Sequence, residues 1–243
     1  MRKSFLAAVS LIILISCNRS PEQLIERGFD YLDKGNYNKA INQFEELVLK
    51  YPNDPIAETA HFHIVNILLD FQEDYMAGYN VLNEIIIRYP DSPRAQVAKE
   101  DVNNFPSWLF IKSEFLRNNN NPVGALKALE TLVSYFPEAN QLAQAHYAIA
   151  DIYLVNYREE EKAVELFKNI SAEFSDTPQG PHAQFMAGYI NANMIGNLEN
   201  AKKEYEHFLE KYSDHDLASS VEFELGYLGQ NIDEIITLKQ VNE

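Results

Sequence analysis

Apolar and polar positions alternate along this chain with a helical period, broken at regular intervals by an aromatic residue that closes each run. The closures are Tyr51-Pro52, Tyr89-Pro90, Phe136-Pro137, Phe174-Ser175 and Tyr212-Ser213, with steps of 38, 47, 38 and 38 residues. Eleven residues before each aromatic stands a small residue, Ala40, Gly78, Ala125, Ala163 and Ala201. Four residues after each of these comes a large one, Phe44, Leu82, Leu129, Phe167 and Tyr205. Five matches at one spacing predict a helical repeat, in which each helix pair is too small to bury its own apolar face and stacks on its neighbours. Gly35-Asn36 and Gly196-Asn197 supply turn residues that accept positive φ between the paired helices. Ala or Gly early in the second helix lets two backbones approach; a larger side chain there overpacks the contact at about 1–3 kcal/mol.

In chain order, the first helix runs over 22–34 with Leu24, Gly28 and Tyr31 facing inward, and its partner ends at Tyr51. The second pair spans about 55–89, and Ser92 is placed as an N-cap for the next helix. The long step puts extra residues between Arg94 and Trp108, where Pro106 predicts one helix ending near Asn104 and another over 107–116. A helix over 123–136 follows. The fourth pair contains Tyr147, Ala150 and Tyr153, a turn one residue longer near Asn156, and a helix over 160–174. In the fifth pair, over about 178–212, either Ala187 or Gly188 fills the small position of the first helix. Residues 216–228 and 232–241 read as a shortened terminal pair that caps the core.

The unit resembles the tetratricopeptide repeat: measured back from Pro52, that pattern places a small residue at Gly28, aromatics at Tyr31 and Phe44, and Ala at Ala40. Leu47 departs from it. The resemblance implies an all-α fold, a right-handed superhelical solenoid of about five tetratricopeptide-like helix pairs plus a C-terminal capping pair. The solenoid is expected over 22–243, with an irregular insertion near 94–108.

The N-terminus adds a second kind of information. Arg2 and Lys3 precede an apolar run from Phe5 to Ile15, closed by Leu14-Ile15-Ser16-Cys17. This is an export signal over 1–16, too short to span a membrane as a stable helix. The placement of Cys17, the only cysteine, resembles the lipobox of bacterial lipoproteins. The resemblance implies cleavage before Cys17, acylation of its thiol and amino group (palmitate among the chains), and a lipidated tether over 17–21. The alternative is an ordinary secretory signal with an incidental cysteine. Asn18 in place of Asp implies, by the sorting rule of enteric lipoproteins, passage to the outer membrane.

Cleavage removes two bases and no acid, leaving 18 basic against 36 acidic residues, about −18 net. So acidic a surface repels nucleic acid and anionic headgroups, and neither is expected as a partner; the membrane is reached through Cys17.

The chemistry-bearing residues point away from catalysis. There is no phosphate-binding glycine cluster, His-Glu-x-x-His, cysteine pair or Gly-x-Ser-x-Gly. His61 and His63, two apart, lie roughly 200° from each other on a helix and do not make a metal pair. Glu159-Glu160-Glu161 stand where a helix begins, where carboxylates meet the positive end of the dipole. His182 beside Pro181 reads as a turn or first-turn residue. No catalytic residue, cofactor or metal is therefore assigned.

Two surfaces are candidates for partner contact. In the first two pairs the outward positions of the first helices include Glu26, Phe29, Asp33, His63, Ile67 and Asp70, a mixed apolar and acidic set suited to a segment bearing basic residues. The second is Phe105, Trp108 and Phe110 in the insertion, in a stretch from Arg88 to Lys127 with six basic and four acidic residues. The bland alternative is that Trp108, the sole tryptophan, fills the gap made by the extra residues.

A lipobox followed almost at once by tetratricopeptide-like units with Tyr-Pro closures resembles the BamD family of outer-membrane β-barrel assembly lipoproteins, best over Gly35-Asn36-Tyr37 through Ala40-Ile41 to Tyr51-Pro52. The resemblance implies a non-catalytic, periplasm-facing, lipid-anchored scaffold for envelope proteins, with a BamA-like barrel or unfolded outer-membrane proteins as partners. The chain departs from that family in carrying about nine extra residues before Trp108 rather than a long insertion within the third unit. Scaffolds for peptidoglycan enzymes, secretion or motility machinery share the same framework, and a hydrolase on a helical scaffold is a third reading.

Overall fold

The computed structural model describes residues 19–230. Among these residues there is no strand; the chain is all-α. The elements are α1 (Pro21–Asp33), α2 (Tyr37–Lys50), α3 (Pro55–Asn66), α4 (Tyr75–Arg88), α5 (Pro93–Asn118), α6 (Pro122–Tyr135), α7 (Leu142–Ile152), α8 (Glu160–Glu173), α9 (Gln179–Ile190), α10 (Leu198–Lys211) and α11 (Ala218–Gly226). They form two compact units whose boundary falls inside α5, between Val102 and Asn103.

Local chemistry explains the helix ends. Ser20 caps α1 in a reciprocal box with Gln23, and Pro21 takes the first position, where its missing N–H costs nothing. Asp54 before Pro55, Asp74, Asn121 before Pro122, and Asn197 cap α3, α4, α6 and α10 by accepting backbone N–H bonds. Ser92 does the same at Ala95, as its position predicts. The five closing aromatics are the C-caps of α2, α4, α6, α8 and α10, each donating its N–H to the carbonyl four residues back. Each aromatic carbonyl then accepts the N–H three residues on, so one turn geometry is used five times.

The turn inside each pair is also shared. Gly35, Glu73, Asn120, Arg158 and Gly196 all have positive φ, between 52° and 77°. Only the two glycines are obvious from residue type; Glu73, Asn120 and Arg158 accept a strained backbone. After α3, α7 and α9 the chain makes a π turn, at Ile67–Phe71, Tyr153–Tyr157 and Asn191–Ile195. These turns hold the extra residue expected near Asn156.

In the N-terminal unit α1 packs on α2, α2 on α3 and α3 on α4. In the C-terminal unit α6 packs on α7 and the sequence continues pairwise to α11. The small and large repeat positions carry these contacts: Ala40, Ala125, Ala163 and Ala201 are fully buried, Gly78 is buried, and Phe44, Leu82, Leu129, Phe167 and Tyr205 are at most 1% exposed. A Cβ on Gly28 would stand 2.2 Å from the Phe44 ring and one on Gly188 2.5 Å from the Tyr205 ring, so Gly188 is the fifth pair's equivalent of Gly28. The alternatives at that position resolve in its favour.

One expectation is corrected. α5 runs unbroken through Pro106, where a helix break is predicted. Proline removes one backbone donor there, yet Phe105 and Leu109 on either side are buried, and packing of both outweighs the lost bond. The export signal, Cys17 and the terminal helix expected over 232–241 lie outside the described residues.

Candidate protein-binding surfaces

The N-terminal candidate set is built on α1, on α3 and on the π turn after it. Glu26, Asp33 and Asp70 are exposed, as an outward position requires. Phe29 is half-buried, its ring edge-on to Phe44 at 5.7 Å and to His63 at 4.7 Å. His63 also stacks on Phe44 at 5.5 Å. Burial, with the Arg94 charge adding to it, holds His63 below the ordinary histidine range. Phe29 and His63 are thus half-buried against Phe44 and against each other. Ile67 is corrected: it is 1% exposed and packs in the core with Phe44 and Leu47. It stands seven residues after Ala60 and three after Ile64, both buried, so it continues the inward stripe of α3 into the first residue of the π turn. In compensation, Phe71 at the end of that turn is 52% exposed and stacks on Tyr37 at 4.6 Å.

Behind this face, His61 is almost wholly buried, its Nδ1 3.1 Å from the Tyr89 hydroxyl. Burial and, less, the Arg88 charge push it down to about 4. A neutral imidazole forms no ion pair with Glu84, whose carboxylate is 3.9 Å from Nε2. An open cleft of about 400 Å³ over His61 is lined by Val48, Leu49, Ile64, Val81, Glu84 and Arg88 among others. These groups lie beside no nucleophile, and the arrangement is that of a packed histidine.

The C-terminal candidate set lies on the second half of α5. Phe105 is corrected: it is 2% exposed, stacked on Trp108 at 5.3 Å and tilted against Phe136 at 5.9 Å, so it anchors the helix and is not a contact residue. Trp108 and Phe110 are half-buried. Lys112 holds its ammonium 5.8 Å over the Trp108 ring. Two residues that sequence reasoning missed complete the face: Ile111 is 66% exposed and Phe115 58%. The signal was available in the spacing 108, 111, 112, 115, one stripe of a helix. Arg117, a turn further on, pairs with Glu114 and with Asp151 of α7.

Also unforeseen is a buried polar chain among α8, α9 and α10. Ser171 Oγ donates to Gln184 Oε1 at 2.8 Å, and Gln184 Nε2 donates to the Glu204 carbonyl at 3.0 Å and carboxylate at 2.8 Å. Lys168 Nζ closes it at 2.8 Å from Glu204, and Lys211 Nζ donates to the Ser171 carbonyl. Every member has a partner, so it fixes register rather than offering reactivity. Elsewhere Glu159 stands at the N-cap of α8 with Glu160 and Glu161 in its first turn, and His182 lies near the start of α9, edge-on to His215 at 5.7 Å. Among the described residues no three His, Cys, Asp or Glu side chains converge as a metal site. Nor is any described helix long and apolar enough to cross a membrane.

This geometry offers faces for protein contact. The chain is similar in fold to a tetratricopeptide repeat protein from Parabacteroides merdae, at 16% identity over 85% of this chain and 73% of that one, TM-score 0.37. It is similar to YrrB, a tetratricopeptide protein with an unusual peptide-binding site, at 15% identity over 84% and 92%, TM-score 0.37. Similar also is the TPR2AB domain of yeast Sti1, solved in complex with pHSP90, at 11% identity over 86% and 85%, TM-score 0.40. No curated protein sequence matches the chain. A tetratricopeptide repeat model matches residues 182–215, which hold most of α9 and all of α10. The model of the outer membrane lipoprotein family YfiO matches residues 18–152, from the residue after Cys17 to the end of α7 and more than half of the chain. Capped helix pairs, aromatic closures and that match place this protein in the YfiO family of outer membrane lipoproteins.

Proposed function

We propose that this protein is a non-catalytic scaffold, held by acyl chains on Cys17 at the periplasmic side of the outer membrane, that binds envelope proteins during assembly of outer-membrane β-barrels. The observation that carries the reading is the family match over residues 18–152. Two features support it. The helix pairs are built by packing chemistry, with a buried histidine, His61, and a satisfied buried carboxylate, Glu204, rather than poised acid and base groups. Exposed acidic and aromatic positions on α1, on the π turn after α3 and on α5 give contact surface to protein partners. A BamA-like barrel and unfolded outer-membrane proteins are the partners this reading names. More than one acyl chain is needed for stable anchoring, since a single chain binds a bilayer only marginally.

The test is purification of the membrane-anchored form after crosslinking, beside Cys17→Ala. A barrel-assembly component recovered with the native protein and lost with Cys17→Ala supports the reading. Recovery of cell-wall hydrolases or secretion components in its place overturns it.

A further inference from the structure

The chain enters its first helix under restraint. The Tyr51 hydroxyl donates to the Arg19 carbonyl at 2.7 Å, and the Arg19 guanidinium reaches the Glu46 carboxylate at 3.4 Å. Ser20 is tied in turn to Gln23 by the capping box of α1. Arg19 is therefore fixed against the last turn of α2, and Cys17 stands two residues before it in the sequence. Two residues reach at most about 7 Å. Whatever Cys17 is joined to lies beside the end of the first pair where α1 begins and α2 stops.

The surface at that end has a character the later pairs lack. The two residues before each closing aromatic are Leu49-Lys50 and Ile87-Arg88 in the N-terminal unit, but Ser134-Tyr135, Ala172-Glu173 and Glu210-Lys211 in the C-terminal unit. Ile87 at 78% and Leu49 at 72% are the two most exposed large apolar side chains among the described residues. Leu49 and Arg88 line one cleft, so both dipeptides stand at the same end of the unit. Glu46, Leu49 and Lys50 follow one stripe of α2, and Lys50 bonds Glu46 at 2.7 Å beside Arg19. Glu45 and Glu84 share the cleft, so the surface mixes both charges with apolar groups, as a layer of zwitterionic headgroups does.

From these observations we infer that the end of the N-terminal unit bearing Leu49, Lys50, Ile87 and Arg88 rests on the bilayer that holds the Cys17 acyl chains. The two apolar side chains enter the interface and the two cations lie among headgroup phosphates. Lys and Arg suit such positions, because their stems lie along apolar surface while the charge stays in the polar layer. The reach of the anchor selects lipid over a second copy or a partner segment as the occupant. The anchor is also required, since a chain of net charge −16 does not approach anionic headgroups unaided. The far end of α1, about 20 Å away over its 13 residues, then points from the bilayer toward partners. The inference rests on the acylated Cys17 of the scaffold reading and adds the face turned to lipid.

The experiment uses the mature lipidated chain in vesicles of phosphatidylethanolamine and phosphatidylglycerol that contain a spin-labelled lipid, a quencher of fluorescence near the headgroups. Cys17 is the only cysteine and its thiol carries lipid, so Leu49→Cys and Lys34→Cys each offer one free thiol for an environment-sensitive fluorophore. The label at position 49 is expected to be quenched and blue-shifted, and the label at position 34, the C-cap of α1, to be neither. With the label moved to position 50, Leu49→Asp together with Ile87→Asp lowers quenching by half or more. Both side chains are exposed, so thermal melting and the acyl mass on Cys17 stay unchanged.

Equal quenching at positions 49 and 34 overturns the inference. So does a blue shift without quenching, which shows that a second copy or another protein covers the patch. Quenching unchanged by the double substitution overturns it as well, because the anchor alone then brings the chain near. If barrel-assembly components still copurify in these cases, the scaffold reading stands. A mature Cys17 without acyl chains removes the anchored reading and the inference together.

Discussion

Gly28→Ala adds one methyl group at the closest approach of α1 and α2. Its Cβ would lie 2.2, 2.6 and 2.7 Å from three Phe44 ring atoms. Phe44 is fully buried, edge-on to Phe29 and stacked on His63, so its ring has no free direction to retreat. Overpacking of this severity belongs at the upper end of the usual range, about 3 kcal/mol. Alanine recovers about 1 kcal/mol of helix propensity over glycine. The net expectation is a loss of about 2 kcal/mol, where an open helical site would gain about 1 kcal/mol. Urea denaturation followed by far-UV circular dichroism at 222 nm measures it as a lower midpoint with an unchanged slope. A second substitution sharpens the test. Phe44→Leu removes the two nearest ring atoms, so the double variant should lose less than the sum of the single losses by at least about 1 kcal/mol. Gly28→Ala equal to or more stable than the native chain would refute the reasoning, because the contact that defines each pair would then not be tight.

Three other outcomes follow from single sites. His61 is held near 4 in the folded chain against about 6.5 when unfolded, so the unfolded state binds the extra proton between those values. Stability therefore falls as pH drops from 6.5 toward 4, by on the order of 1–3 kcal/mol, and His61→Gln flattens this part of a melting-versus-pH curve; a curve unchanged by the substitution contradicts the assignment. Arg158→Gly relieves a left-handed backbone with φ of 56° and should raise the unfolding free energy by about 0.5–1 kcal/mol, read as a higher urea midpoint, against a loss of similar size if that φ costs nothing. Gln184→Met leaves the Ser171 hydroxyl and the Glu204 carbonyl without the bonds Gln184 makes to them, a destabilisation of about 1–3 kcal/mol by the same assay, and no change would show that water replaces the amide.

What was legible in the sequence is what packing alone dictates. The spacing of Ala40 to Phe44 to Tyr51, repeated five times, fixed the helix pairs, their small contacts and their closures, because each depends on residue size at a helical interval. The left-handed turns were legible only at Gly35 and Gly196. Glu73 and Arg158 adopt the same φ under compulsion from the helices they join, and nothing in their residue type announces it. Pro106 misled for the converse reason: a local rule favours a break, and burial of Phe105 and Leu109 overrides it.

The candidate surfaces were half legible. Glu26, Asp33 and Asp70 are exposed as placed, whereas Ile67, seven residues after Ala60 and three after Ile64, continues the buried stripe of α3 and belongs in the core. On α5 the aromatic cluster drew notice through Trp108. The exposed members of that face are Ile111 and Phe115, three and seven residues on from Trp108 along one stripe of the helix.

The account turns on a scaffold for barrel assembly, and depletion of this protein in its own bacterium measures that most directly. Folded outer-membrane β-barrels, counted by their heat-modifiable migration, should fall as the protein is lost while other outer-membrane lipoproteins hold their level. Barrels that fold at their normal amount after depletion would contradict it.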